Sequence, residues 1–452
     1  MVAAVSASRR RKAPLGETAP RAPWLSEAVA ALAEALRFER PADAVLSRFF
    51  RERPHLGQRD RGEIAERVYA VLRHRRSLET WAGRTNPRAL LLAWLVRGEG
   101  WSLARLEPWL EKGERAWLAE RKAATPVLSR AERLDAPDWL IERLDAAYGP
   151  PETEALLTSS NRPAPLDLRI NPWRTTREAV LARLQADGID CAPTPFSPLG
   201  IRVRGKPALH AHPFFQDGMF EVQDEGSQLV TLLVAPRRGQ TVVDFCAGAG
   251  GKTLQLAAAL RNTGQVYAFD VSAGRLAKLK PRLVRSGLTN VQPMVLAHEN
   301  DERLDRLAGK VDRVLVDAPC SGLGTLRRNP DLKWRQQPTL VEELIAKQRA
   351  ILQAAARLVR PGGHLVYVTC SLLPEENETV LETFLARESR FSLLDPWPSL
   401  FKSGVPEQIP RWEIPTADAL VDRFSPTVLR LAPHVHGTDG FFAAVLARNA
   451  SP

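Results

Sequence analysis

Cysteine is scarce in this chain: four residues in 452, at positions 191, 246, 320 and 370. No two of them form a CxxC pair, so neither a disulfide framework nor a structural zinc site is expected, and no metal is predicted. The chain reads as a reduced, cytoplasmic protein. Long apolar runs are also lacking. The run Ala89 to Val96 is far short of the ~20 residues needed to cross a bilayer, so no membrane association is expected. The first residues, Met-Val-Ala-Ala-Val before Arg9, Arg10, Arg11 and Lys12, have no apolar core after the charges and do not read as a signal peptide. Positive charge, by contrast, is in excess: 63 Lys and Arg against 52 Asp and Glu, a formal net charge of +11. That excess favours an anionic partner, nucleic acid above all, although a generally basic surface would look the same.

The length suggests two to three domains, and their textures differ. Residues 1–21 read as a loose tail. Residues 22–149 read as an all-helical domain, with Ile64, Val68, Val71 and Leu72 on one stripe and Leu90, Leu91 and Leu95 on another. Its Arg73, Arg75 and Arg76 read equally well as a solvated face or an RNA contact. Residues 150–222 read as a small α+β module: Leu166, Leu168 and Ile170 alternate with Asp167 and Arg169, and a helix is expected over 176–186. From 223 to 452 strands, glycine loops and helices alternate, which predicts an α/β doubly wound, Rossmann-like domain with a parallel sheet covered on both faces. Strands are expected at 241–245, 266–269, 314–316 and 364–368, and a helix at 341–358 stopped by Pro361-Gly362-Gly363. Residues 428–431 and 441–446 are expected to pair as an antiparallel C-terminal hairpin. The two histidines and one aspartate of its loop, 434–439, fit a turn at the site's rim better than a metal site, since no further ligands are evident.

The segment Cys246-Ala247-Gly248-Ala249-Gly250-Gly251-Lys252 joins a strand to a helix, where glycines permit a sharp turn and close approach of a ligand. A phosphate-binding P-loop needs glycine at 246, which is cysteine, and a dinucleotide fingerprint needs glycine at 253, which is threonine. What remains is a nucleotide-type loop without provision for pyrophosphate. Asp270, at the end of the next strand, can accept from ribose hydroxyls. That combination suits S-adenosylmethionine, and a plain βα turn is the bland alternative.

Asp317-Ala318-Pro319-Cys320-Ser321 and Thr369-Cys370-Ser371 each follow an apolar strand. A right-handed crossover makes such strands neighbours, so Asp317, Cys320 and Cys370 are expected at the sheet edge where doubly wound folds bind ligands. Cys191 and Cys246 read as small buried hydrophobes. Arg327, Arg328 and Lys333, just downstream, are candidates for the positive charge that favours a thiolate.

The sequences DFCAGAGGKT, VDAPCSGLGTLRRNPDLKW and VTCSLLPEENE resemble the motifs of the Nop/Sun-type RNA cytosine-5 methyltransferases. RDRGEIAERVYAVLRHRR resembles the NusB-type RNA-binding domain fused to bacterial members. The resemblance implies an S-adenosylmethionine-dependent enzyme, acting as a monomer on RNA, with 16S ribosomal RNA the first candidate. Transfer RNA or another RNA is the alternative substrate, and a non-catalytic RNA-binding protein the alternative class. Position by position it implies Cys370 as the nucleophile adding to cytosine C6, Cys320 as the aid to product release, and Asp317 at cytosine N3 and beside the cofactor. Cys246 to Lys252 would cradle the methionine part and Asp270 the ribose. The chain departs from the usual Cys-Ala-Ala-Pro-Gly-Gly-Lys loop. After the third strand, where an acidic residue usually contacts adenine, 296–301 reads Leu-Ala-His-Glu-Asn-Asp; which of these faces adenine stays open, with His298 one candidate.

Overall fold

The computed structural model describes residues 24–124, 126–414 and 419–450, so the expected tail 1–21 lies outside the described residues. The chain divides into two compact units, Met1–Val71 with Trp81–Thr125, and Leu72–Thr80 with Pro126–Pro452. The smaller unit is helical among the described residues. Its helix Gln58–Arg73 carries Ile64, Val68 and Val71 into complete burial, as their helical spacing requires. Asn86 caps the helix Pro87–Arg97 by accepting from the Ala89 amide, and Leu90, Leu91 and Leu95 are buried along it.

The helical texture up to 149 does not mark where the chain divides. Helices Asp138–Tyr148 and Pro150–Ser160 belong to the larger unit, where Leu140, Leu144 and Leu156 share a core with Leu323, Leu326 and Leu372. Periodicity identifies a helix but not the core it fills. The segment 72–80 belongs there too. Asp135 accepts from the Ser77 amide and hydroxyl at 2.8 and 2.9 Å. Arg73 donates to the Arg327 carbonyl, Arg76 to the Ala136 carbonyl and Asp138, and Arg75 to Glu79. The arginine cluster is therefore engaged by protein groups.

A four-stranded antiparallel sheet follows: β1 (Leu166–Ile170), β2 (Cys191–Pro193), β3 (Gly200–Val203) and β4 (Phe220–Val222), in the order β2-β3-β1-β4. The main sheet contains β5 (Thr241–Asp244), β6 (Gln265–Asp270), β7 (Val291–Val295), β8 (Val311–Asp317), β9 (Val359–Thr369), β10 (Phe391–Leu394), β11 (Leu429–Leu431) and β12 (Phe441–Arg448). Its order is β10-β12-β9-β8-β5-β6-β7, with β11 beside β12. Strands β5 to β9 are mutually parallel, and β12 joins them antiparallel. Alternation along each strand fills two cores: Val242, Leu315 and Val366 face one layer of helices, while Val243, Val314, Val316 and Leu365 face the other. This is an α/β Rossmann-like sheet whose strand order reverses between β5 and β8, the place where such folds open a ligand crevice.

Pro361-Gly362-Gly363 does not end a helix. The helix Pro338–Ala356 stops earlier, and β9 runs through these residues. Val311 pairs with Val359 but Arg313 pairs with His364, so four residues of β9 (360–363) bulge where β8 contributes one, and Gly362 takes φ +71° there. Proline and glycine mark an irregular strand as readily as a helix end.

Candidate active site

Strands β5, β6, β8 and β9 deliver Asp244, Asp270, Asp317 and Thr369 to one edge of the sheet. The loop after β5 turns through Gly248 and Gly250, at φ +55° and +84°, and Gly250 leads into the helix Gly251–Ala259. A side chain at Gly250 would be strained by that φ and would also meet Leu279 Cδ1 at 2.1 Å. Neighbours brace this loop: Arg282 donates to the Ala249 carbonyl and Arg169 to the Gly251 carbonyl, both at 2.7 Å. Ala247 donates its amide to Phe269 of β6.

Asp270 is buried and accepts from the Gly248 amide at 2.8 Å and the Ser272 amide at 2.7 Å. A carboxylate has about four lone-pair sites, so two remain for the hydroxyls of a ribose. The loop and Asp270 together fit a nucleoside-bearing cofactor. Cys246 is half-buried, and burial pushes its thiol well up, away from a nucleophile's range. His298 lies exposed in the turn after β7, its Nδ1 accepting from the Asn300 amide. Asp301 in the same turn is occupied by the Ala297 amide and Arg303.

The two strand-end cysteines meet. Cys320 Sγ and Cys370 Sγ are 3.4 Å apart, both half-buried. The hydrogen bond with Cys370, reinforced by burial, drives the Cys320 thiol well above its ordinary value. Lys252, at the end of the glycine loop, donates to Asp317 Oδ2 at 2.7 Å and lies 5.5 Å from the centre of the Phe441 ring. Burial pulls this ammonium toward neutrality. The Asp317 carboxylate outweighs that pull, with Cys370 acting in the same direction, so Lys252 is held above its usual value.

The cation beside the thiol pair is thus Lys252, not the three expected from proximity in sequence. Arg328 pairs with Asp439 and Asp224 at 2.7 and 2.9 Å, and Arg327 donates to the Thr438 carbonyl. Lys333 is buried against the Arg73 carbonyl and Asn161, and burial pushes it down to about 7. Sequence reasoning placed Lys252 in the cofactor loop and missed its second face. It also missed Ser321, Ser371 and Glu376, which link the two cysteine turns. The repeated Cys-Ser dipeptide was the available signal for the serines; Glu376, one of two adjacent glutamates, had none.

The 434–439 loop serves the fold. His434 meets Glu152, His436 meets the Pro410 carbonyl, and Gly440 just beyond donates to the Gly324 carbonyl beside the Cys370 turn. Among the described residues no cluster of His, Cys, Asp and Glu could hold a metal ion, and no helix is long and apolar enough to cross a membrane.

Comparison with known proteins agrees with this layout. Residues 231–447 match the family model described as 16S rRNA methyltransferase RsmB/F, and residues 136–210 match the ferredoxin-like domain of RsmF/B-like methyltransferases. A Synechocystis protein named probable ribosomal RNA small subunit methyltransferase B is 38% identical over 325 residues, 71% of this chain and 68% of its own length. The Salmonella paratyphi B protein named ribosomal RNA small subunit methyltransferase B is 34% identical over 282 residues, 62% of each chain. Among solved structures, PH0851 matches with a TM-score of 0.71 at 28% identity, covering 93% of this chain and 98% of that one. A methyltransferase homolog protein from Pyrococcus horikoshii matches with a TM-score of 0.58 at 28% identity, over 71% of this chain and 100% of its own. The chain therefore belongs to the RsmB/F family of S-adenosylmethionine-dependent methyltransferases.

Proposed function

We propose that this protein methylates C5 of a cytosine in RNA, with 16S ribosomal RNA as the substrate, by way of a covalent bond between Cys370 and C6. The observation that carries the reading is the 3.4 Å approach of Cys370 and Cys320 beside the Lys252–Asp317 pair. C5 of cytosine is a poor nucleophile. Addition of the Cys370 thiolate to C6 makes the ring an enamine, and charge at N3 must be neutralised by a positioned proton donor. In this reading the Asp317 carboxylate faces N3 and relays to it a proton from its partner Lys252, whose ammonium first stabilises the attacking thiolate. S-adenosylmethionine supplies the methyl group when bound, held by residues 246–252 at its methionine part, Asp270 at its ribose and the His298 turn at its adenine. After methyl transfer a water molecule takes the C5 proton, the Cys370–C6 bond breaks to return the Cys370 thiolate, N3 gives its proton back to Lys252 through Asp317, and Cys320 assists this release.

The names of the Synechocystis and Salmonella relatives support ribosomal RNA of the small subunit as the substrate. The net charge of +11 suits it. In this reading the helical unit is a NusB-like RNA-binding module, the sheet β1–β4 belongs to a linker over 150–222, and residues 223–452, with their antiparallel C-terminal hairpin, perform the transfer. The protein acts as a cytoplasmic monomer. Cys320→Ala tests the chemistry: incubated with S-adenosylmethionine and 16S ribosomal RNA, it should accumulate an enzyme–RNA adduct that migrates slowly on denaturing gels. Normal turnover with no adduct would remove Cys320 from the reaction. Bisulfite sequencing of ribosomal and transfer RNA from a strain lacking the protein identifies the substrate by the cytosine that loses its methyl group.

A further inference from the structure

Between the two cysteine turns lies a buried acid that the methyl-transfer reading does not use. Glu376, fully buried, sits in the short helical turn Pro374–Glu376 just after Cys370. Its Oε1 accepts from the Ser321 amide at 2.8 Å and from Gln348 Nε2 at 2.9 Å. Its Oε2 accepts from the Ser321 hydroxyl at 2.5 Å and from the Ser371 hydroxyl. The two hydroxyl oxygens are themselves 3.1 Å apart. Each serine directly follows one of the paired cysteines. Gln348 also donates to the Pro319 carbonyl, and Tyr367 donates to the Glu376 carbonyl, so the acid is fixed from two further elements.

We propose that Glu376 is a positioning residue for the thiol pair: it fastens the Ser321 and Ser371 turns to one carboxylate and so holds Cys320 and Cys370 face to face, while its negative charge keeps the proton on Cys320. Four donors converge on the acid, which satisfies a buried carboxylate without a cation. A cation there would draw the proton from Cys320 and blur the difference between the two sulfurs. Lys252 instead lies with Asp317 and acts on Cys370. Glu376 acts on Cys320 in the opposite sense. Glu376 thus places a negative charge on the Cys320 side of the pair and Lys252 a positive one on the Cys370 side. The inference rests on the reading of these thiols as the reactive pair.

The test is alkylation of the full-length protein with iodoacetamide across a pH series, each cysteine followed by peptide mapping, beside methyl-transfer kinetics. Glu376→Gln keeps the shape and removes the charge, and should lower the midpoint for Cys320 alkylation by about one pH unit. Ser321→Ala/Ser371→Ala keeps the charge and removes the hydroxyl fastenings. It should lower kcat by about tenfold or more and leave KM for S-adenosylmethionine unchanged. Glu376→Asp should restore the midpoint and not kcat. A folded Glu376→Gln with an unchanged Cys320 midpoint would overturn the proposal, as would wild-type kcat in the double serine variant. Should Glu376→Gln fail to fold, Ser371→Ala alone decides: it leaves the acid three donors, and wild-type kcat there refutes the fastening. If the wild-type protein transfers no methyl group to RNA, the proposed function fails, while the alkylation profiles still decide what Glu376 does.

Discussion

Gly324 offers the sharpest test of how closely the site must be assembled. Its amide donates to the Cys370 carbonyl and its carbonyl accepts from the Gly440 amide, both at 2.8 Å, so three loops meet at one residue. A Cβ added there would lie 2.2 Å from the Gly440 oxygen and 2.8 Å from the Cys370 oxygen. Non-bonded carbon and oxygen need about 3.4 Å, so Gly324→Ala must open the junction by about 1.2 Å on one side and about 0.6 Å on the other. Both obstacles are backbone and cannot swing aside. Overpacking of this kind costs about 1–3 kcal/mol in stability, and a misplacement near 1 Å can cost about 10²-fold in rate. The glycine loop and Asp270 stand on other strands and should be untouched. Gly324→Ala should therefore lose about 10²-fold in kcat for transfer of a labelled methyl group, lower the melting temperature by a few degrees, and bind S-adenosylmethionine as the parent does by titration calorimetry. Wild-type kcat in a folded variant would refute the idea that this junction sets the position of Cys370.

Further tests follow from the same coordinates. Cys370→Ala should abolish methyl transfer and leave cofactor affinity within about twofold, whereas full activity would reassign the nucleophile. Burial pushes Asp244 up to about 7 against the Thr253 hydrogen bond, so between about pH 4 and 7 the folded state holds a proton that the unfolded chain gives up. Its contribution to stability is full below that window and lost as pH rises through 7. Asp244→Asn should gain on the wild type in melting temperature at pH 7.5 relative to pH 5, and an equal gap at both pH values would contradict the assignment. RNA affinity should fall steeply between 50 and 200 mM salt, as phosphate contacts release counterions, and a flat response would count against a basic RNA surface.

Sequence alone carried the elements whose periodicity is strong and the residues that stand at strand ends. The apolar strands β5, β6, β8 and β9, the glycine loop, and the placing of Asp270, Asp317, Cys320 and Cys370 along one sheet edge were legible, because a strand–loop–helix alternation allows few topologies and puts its strand ends on one edge. Other features depended on which distant groups come together. The helices at 130–160 are plainly helical in sequence, yet only packing assigns them to the core of Leu323 and Leu372. Arg328 and Lys333 follow Cys320 closely in the chain, yet buried partners elsewhere claim their charges, and Lys252 serves instead. Glu376 gains its meaning only when two turns fifty residues apart in sequence converge on its carboxylate. Local pattern records what each residue wants from its immediate neighbours; desolvation and hydrogen-bond satisfaction are set by the whole fold, and these decide which charge faces which sulfur.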